Sequence, residues 1–100
     1  MSAREEIRAA AVEAILARGP KHAAQRILLL ELAVAADPAT RTTTIAMPQL
    51  AAAACVSERY ARMICRDLET DGWLQRQIGR GRGRVNTYTV NLDLQLEAQP

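Results

Sequence analysis

Arginine alternates with glycine through Gly79, Arg80, Gly81, Arg82, Gly83 and Arg84. A guanidinium is a planar, permanently charged fork of N–H donors that matches phosphate oxygens and the edge of guanine. Glycines between the arginines let the backbone come close to another surface. A second set, Arg59, Arg62 and Arg66, is spaced by three and four residues, which puts it on one exposed arc of a helix. Ala61, Ile64, Cys65 and Leu68 stand at i, i+3, i+4 and i+7 and make a second face suited to burial. Both arginine sets are suited to a polyanion, and duplex DNA is the partner that would use both.

Other chemistry has little support. Cys55, Cys65 and His22 are the only cysteines and histidine, with no zinc-ligand spacing and no disulfide framework. Both cysteines read as small buried residues in a reducing compartment. His22 lacks a serine, cysteine and carboxylate constellation that would make it a catalytic base. The glycine-arginine run connects two expected strands, with no helix N-terminus after it to receive a phosphate, so it is not a nucleotide cradle. No catalytic residue, metal or cofactor is expected, and the chain does not read as an enzyme.

The elements that would position the arginines follow from pattern. One hundred residues normally make one domain with a modest core. The net charge of +2 says less than its distribution, because Gly72 to Leu92 contains Arg76, Arg80, Arg82 and Arg84 and no acid. Helices are expected over Ala3 to Arg18, ended by a left-handed glycine at Gly19 before Pro20, and over Lys21 to Ala36, the latter apolar around most of its circumference and hence central. Thr42 to Ile45 is a brief β-branched strand, and Pro48 opens a third helix to about Ala54. Ser57 caps the fourth, arginine-bearing helix and Gly72 ends it. The runs Trp73 to Ile78 and Val85 to Leu92 pair as a hairpin with a basic tip, its base anchored by Trp73 and Tyr88. Leu92, Leu94 and Leu96 continue the alternation, a candidate for pairing with a second subunit. No apolar run is long enough for a signal peptide core or a membrane span, so a cytoplasmic protein without membrane contact is expected.

Helix, helix, short strand, helix, helix, hairpin is the order of a winged helix-turn-helix domain. Leu50 to Arg62 resembles that family's two-helix reading unit, and Leu68 to Leu74 with Gly83 to Val90 resembles its helix end and wing. The chain is especially similar to small winged-helix replication and regulatory proteins of phages and plasmids. Cys55 stands where that family most often has glycine, so it must take a less comfortable backbone or mark a different turn.

The expected fold class is therefore mainly α with a small β-hairpin (α+β). Residues 1–20 would be an N-terminal helix and possible dimerisation element, 21–92 the winged helix, and 93–100 a C-terminal extension. The reading helix, 57–71, would enter a major groove, and the wing, 79–84, would grip a minor groove or the backbone. The candidate DNA-binding residues are Ser57, Arg59, Tyr60, Arg62, Met63, Arg66, Arg80, Arg82, Arg84 and Asn86. The expected protein is a sequence-specific double-stranded DNA-binding homodimer that regulates transcription or replication of a mobile element, with replication or transcription proteins as further partners. Two alternatives are a replication-initiation or plasmid-partition accessory protein on origin repeats, and a winged-helix protein-interaction module that does not bind DNA.

Overall fold

A computed structural model of the chain describes residues 3–79 and 85–91. The order is α1 (Ala3–Arg18), α2 (Ala23–Ala35), β1 (Thr42–Ile45), α3 (Met47–Ala53), α4 (Glu58–Thr70), β2 (Leu74–Gln77) and β3 (Asn86–Val90). Helices dominate, and the strands form a small antiparallel sheet, in agreement with the sequence pattern.

The chain turns back between α1 and α2 at Gly19 and Pro20. Gly19 does not take the left-handed conformation expected of it; among described glycines only Gly72 has positive φ. Glycine is needed at position 19 because a Cβ would run into the Ile15 carbonyl oxygen, which already accepts the Gly19 N–H at 2.8 Å. Arg26 on α2 donates Nε to the Pro20 carbonyl at 2.9 Å and Nη1 to the Leu16 carbonyl at 3.1 Å. Carbonyls at a helix C-terminus lack partners within the helix, so this arginine stitches the end of α1 to α2. Ile15, fully buried, fixes α1 to the core.

α2 is central, touching α1, α3, α4 and β3. Leu28, Leu29, Leu32 and Ala33 are its buried face, while Ile27 and Val34 stay about half exposed on the other side. The core continues through Leu50, Ala61, Ile64, Leu68, Leu74 and Val90. Each large apolar side chain buried there contributes about 1.5–3 kcal/mol.

The sheet has the order β1-β3-β2. The expected β2–β3 hairpin pairs Leu74 with Val90 and Gln77 with Thr87. β1 closes the other edge of β3, with Thr42 opposite Thr89 and Ile45 opposite Asn86. Trp73 and Tyr88 are buried beneath the hairpin as expected.

Cys65 is buried but Cys55 is exposed, which corrects the expectation that both cysteines lie inside. Cys55 follows the α3 C-cap residue Ala54 with φ 59°, and the left-handed turn leaves its side chain at the surface.

Candidate nucleic-acid interface

α4 begins at a built cap. The N-cap Ser57 has extended φ and ψ, and its Oγ accepts the Tyr60 N–H at 3.1 Å, satisfying one of the donors orphaned at a helix start. Glu58 in the first turn is favourable to the helix dipole. Ala61, Ile64, Cys65 and Leu68 are all buried, so the face predicted from spacing is the one that packs.

Burial of that face decides what points outward. Arg59, Arg62, Met63 and Arg66 are exposed at i, i+3, i+4 and i+7 along one line, with Met63 half exposed and Tyr60 at the helix start. Arg62 Nη2 meets Glu58 Oε2 at 3.2 Å, an exposed i, i+4 pair. Such a pair is worth about 0.3–0.5 kcal/mol, so a phosphate oxygen can readily replace the carboxylate.

β2 is attached to this helix. Arg76 on β2 reaches Glu69 in the last turn of α4, with Nε 2.9 Å from Oε1 and both side chains mostly shielded. Glu69 Oε1 is buried and receives no hydrogen bond in line, so the contact is an ion pair. Arg76 belongs to the acid-free basic run of the sequence, yet its charge is balanced inside the fold. The seven-residue separation crosses a helix end and a strand start, and no local spacing rule marks it.

At the base of the hairpin a Cβ on Gly79 would collide with the Val85 carbonyl oxygen, so glycine lets the two strands close there. Asn86 accepts the Gly79 N–H on Oδ1 at 3.3 Å and directs Nδ2 to the Tyr88 hydroxyl at 3.4 Å. Both are long contacts, and they engage Asn86 across the wing base. Arg80, Arg82 and Arg84 lie outside the described residues. Arg59, Arg62, Met63 and Arg66 thus share one exposed side of α4, exposed Ser57 and Tyr60 stand at its N-terminal end and not on that line, and Asn86 lies on β3 beside Gly79.

Burial pushes the Cys65 thiol up to about 11 and raises the Tyr88 phenol. Among the described residues no three His, Cys, Asp or Glu side chains converge as a metal site. No helix among them is long and apolar enough to cross a membrane.

Residues 23–98 match the family described as sugar transport-related sRNA regulator N-term (SgrR_N), a winged-helix DNA-binding domain of a transcription regulator and not an enzyme family. The match begins at the first residue of α2 and leaves α1 outside it. No curated protein matches the chain. A winged helix whose fourth helix turns three arginines outward, matched over most of its length, belongs to the sugar transport-related sRNA regulator N-terminal family.

Proposed function

We propose that the chain is a sequence-specific double-stranded DNA-binding regulator of transcription, in which α4 reads a major groove and the 79–84 wing holds the flanking backbone or minor groove. The observation that carries this reading is the line of Arg59, Arg62, Met63 and Arg66 on the face of α4 opposite its buried stripe. Arginine on an exposed helix face meets both phosphates and guanine edges. The Glu69–Arg76 ion pair, which holds β2 at the C-terminal end of the same helix, supports this reading.

The family match favours regulation of transcription over replication or partition. Its description concerns a regulator of a sugar transport-related small RNA, and a promoter of that kind is the first operator to try. One module covers a limited stretch of DNA, and a homodimer on two half-sites extends it. The half-exposed Ile7 and Leu16 of α1 and Ile27 and Val34 of α2 are the apolar residues such a dimer would cover.

The test is fluorescence anisotropy of a labelled duplex against salt, for the native protein, an Arg80, Arg82 and Arg84 to alanine variant, and an Arg59 and Arg66 to alanine variant. The expected native log–log slope is about −4 or steeper, flattened in both variants. Loss of discrimination between operator and random duplex is expected only for the α4 variant. Salt-insensitive, feeble binding unchanged in both variants would instead assign the surface to a protein partner.

A further inference from the structure

The groove between α1 and the end of α2 is mostly apolar and stands open. Ile7, Ala10 and Ala14 of α1 face Ala33 and Ala36 across a cavity of about 350 Å³ that Val90 helps to close. Small side chains on both helices leave the space unfilled, and Ile7 is half exposed at it. Folded interiors hold few voids of this size, so an open apolar groove marks a surface with an occupant. Arg8, Asp37 and Arg41 are the charged members of the lining, and Asp37 is already paired with Arg4 Nη2 at 3.1 Å.

The chain itself arrives at this groove. A second hollow, beside Thr89 and Asn91, shares Ile7, Pro38, Arg41 and Val90 with the first, so the two are continuous. Val90 is the last residue of β3, and Asn91 is still tied down, its N–H donating to the Trp73 carbonyl at 2.9 Å. Residues 92–100 lie outside the described residues. Leu92, Leu94 and Leu96 alternate there with Asp93, Gln95 and Glu97, a pattern that puts the leucines on one side of an extended chain and the polar residues on the other. The family match runs through residue 98, so this segment belongs to the domain.

We propose that the groove is covered by residues 92–96 of the same chain, with Leu92, Leu94 and Leu96 laid along Ile7, Ala10 and Ala14. From Leu92 to Leu96 an extended chain covers about 13 Å, and from Ile7 to Ala14 a helix rises about 10 Å, so the two rows match in length. Asp93 and Glu97 stay on the outer side and need not enter the groove. The same chain is favoured over a second copy because Asn91 leads off at the edge of the groove, and a short tether raises the local concentration of the segment far above that of a separate molecule. α1 is then clasped to the rest of the fold by the segment that follows β3. Ile7 is covered within the chain, which leaves Leu16, Ile27 and Val34 for a dimer. This clasp is independent of DNA binding by α4.

The experiment is disulfide trapping in the full chain, with Cys55→Ser to remove the exposed thiol. Ala10→Cys with Leu94→Cys puts one thiol in the groove and one on the segment. Ala9→Cys with Leu94→Cys is the control, because Ala9 is exposed on α1 and outside the groove lining. Under mild oxidation the first pair should close within one chain about tenfold or more faster than the control, read on non-reducing gels and by mass spectrometry. Hydrogen exchange gives a second readout. Replacing Leu92, Leu94 and Leu96 by serine should speed exchange across residues 3–18 by about tenfold or more, while residues 58–70 keep their protection. No closure, equal closure of the two pairs, or unchanged exchange of α1 in the serine variant would overturn the proposal. Disulfide-linked dimers would assign the groove to a second copy and overturn it equally. Should the serine variant lose its helical circular dichroism spectrum, the cysteine pairs decide alone.

Discussion

Cys55 and Gly72 occupy the same position in two successive helix endings. After α3, the Cys55 N–H reaches the Ala52 carbonyl at 3.1 Å and the Val56 N–H reaches the Ala51 carbonyl at 3.0 Å. After α4, the Gly72 N–H reaches the Glu69 carbonyl at 3.1 Å and the Trp73 N–H reaches the Leu68 carbonyl at 2.9 Å. Both are Schellman endings, which need a left-handed residue just past the cap. Gly72 supplies it at φ 85° and Cys55 at φ 59°. The first ending sets the angle at which α4 leaves α3, and the second sets where β2 begins.

Only one of the two is comfortable there. A left-handed backbone costs a non-glycine residue about 1–2 kcal/mol, partly offset because glycine loses more entropy on folding. Cys55→Gly should therefore stabilise the protein by about 0.5–1 kcal/mol, since the exposed thiol gives up little packing. Gly72→Ala should destabilise it by about 1–2 kcal/mol. Urea midpoints at unchanged m-value check both. In the native Cys-containing protein, a thiol reagent should label Cys55 quickly and Cys65 only on unfolding.

The Glu69–Arg76 pair makes a prediction about coupling. Removing one member leaves the other charge partly shielded from water without its partner, so Arg76→Met or Glu69→Gln should each cost about 1–2 kcal/mol. The double variant should recover part of that loss, and the cycle gives the coupling directly. A DNA-affinity loss in Arg76→Met that persists undiminished in the double variant would show that Arg76 acts on DNA itself, not through Glu69.

Much of this architecture could be read from local pattern. Ala61, Ile64, Cys65 and Leu68 announced the buried face of α4, and Ser57 and Gly72 its ends, because helix periodicity and capping are short-range. The Thr42 to Ile45 strand is legible, but its place beside β3 is not, since nothing local couples Thr42 to Thr89 across 46 intervening positions. Residue type alone points Cys55 inward, because burial statistics for cysteine say nothing of a left-handed turn. A glycine before Pro20 suggests a left-handed helix end, whereas the role of Gly19 is the close approach of the Ile15 carbonyl. The arginines of the 59–66 face were found by spacing, yet Arg26 and Arg76 are spent on internal partners that only the fold brings near.

Stability should fall at alkaline pH for an identifiable reason. Burial raises the Cys65 thiol from 9.0 to about 11, so the folded state holds its proton more tightly than the unfolded chain. The stabilisation is fully present below pH about 9 and is lost as pH rises through about 11. For a shift of this size the loss is at most about 2–3 kcal/mol. Tyr88, raised by burial as well, adds in the same direction above its ordinary 10.0. Unfolding free energy should be flat from neutrality to pH about 9 and then decline, and Cys65→Ala should decline less steeply over the same range. Equal slopes in the two proteins would show that folding does not raise the thiol's pKa.

Ser57 separates the structural role of the α4 start from its proposed role at DNA. Its Oγ accepts the Tyr60 N–H, so Ser57→Ala should cost about 1 kcal/mol of stability and weaken DNA binding only as far as the helix start frays. Ser57→Asp keeps an acceptor at the cap and adds a charge the helix dipole favours, so its thermal midpoint should equal or exceed that of the native protein. The same carboxylate would face phosphates if the N-terminal end of α4 enters the groove, and like charges at an interface are strongly unfavourable. Operator affinity should then drop about tenfold or more, roughly 1.4 kcal/mol, in a fully folded variant. Retained affinity in Ser57→Asp would turn the N-terminal end of α4 away from DNA and leave Arg62, Met63 and Arg66 as the reading surface.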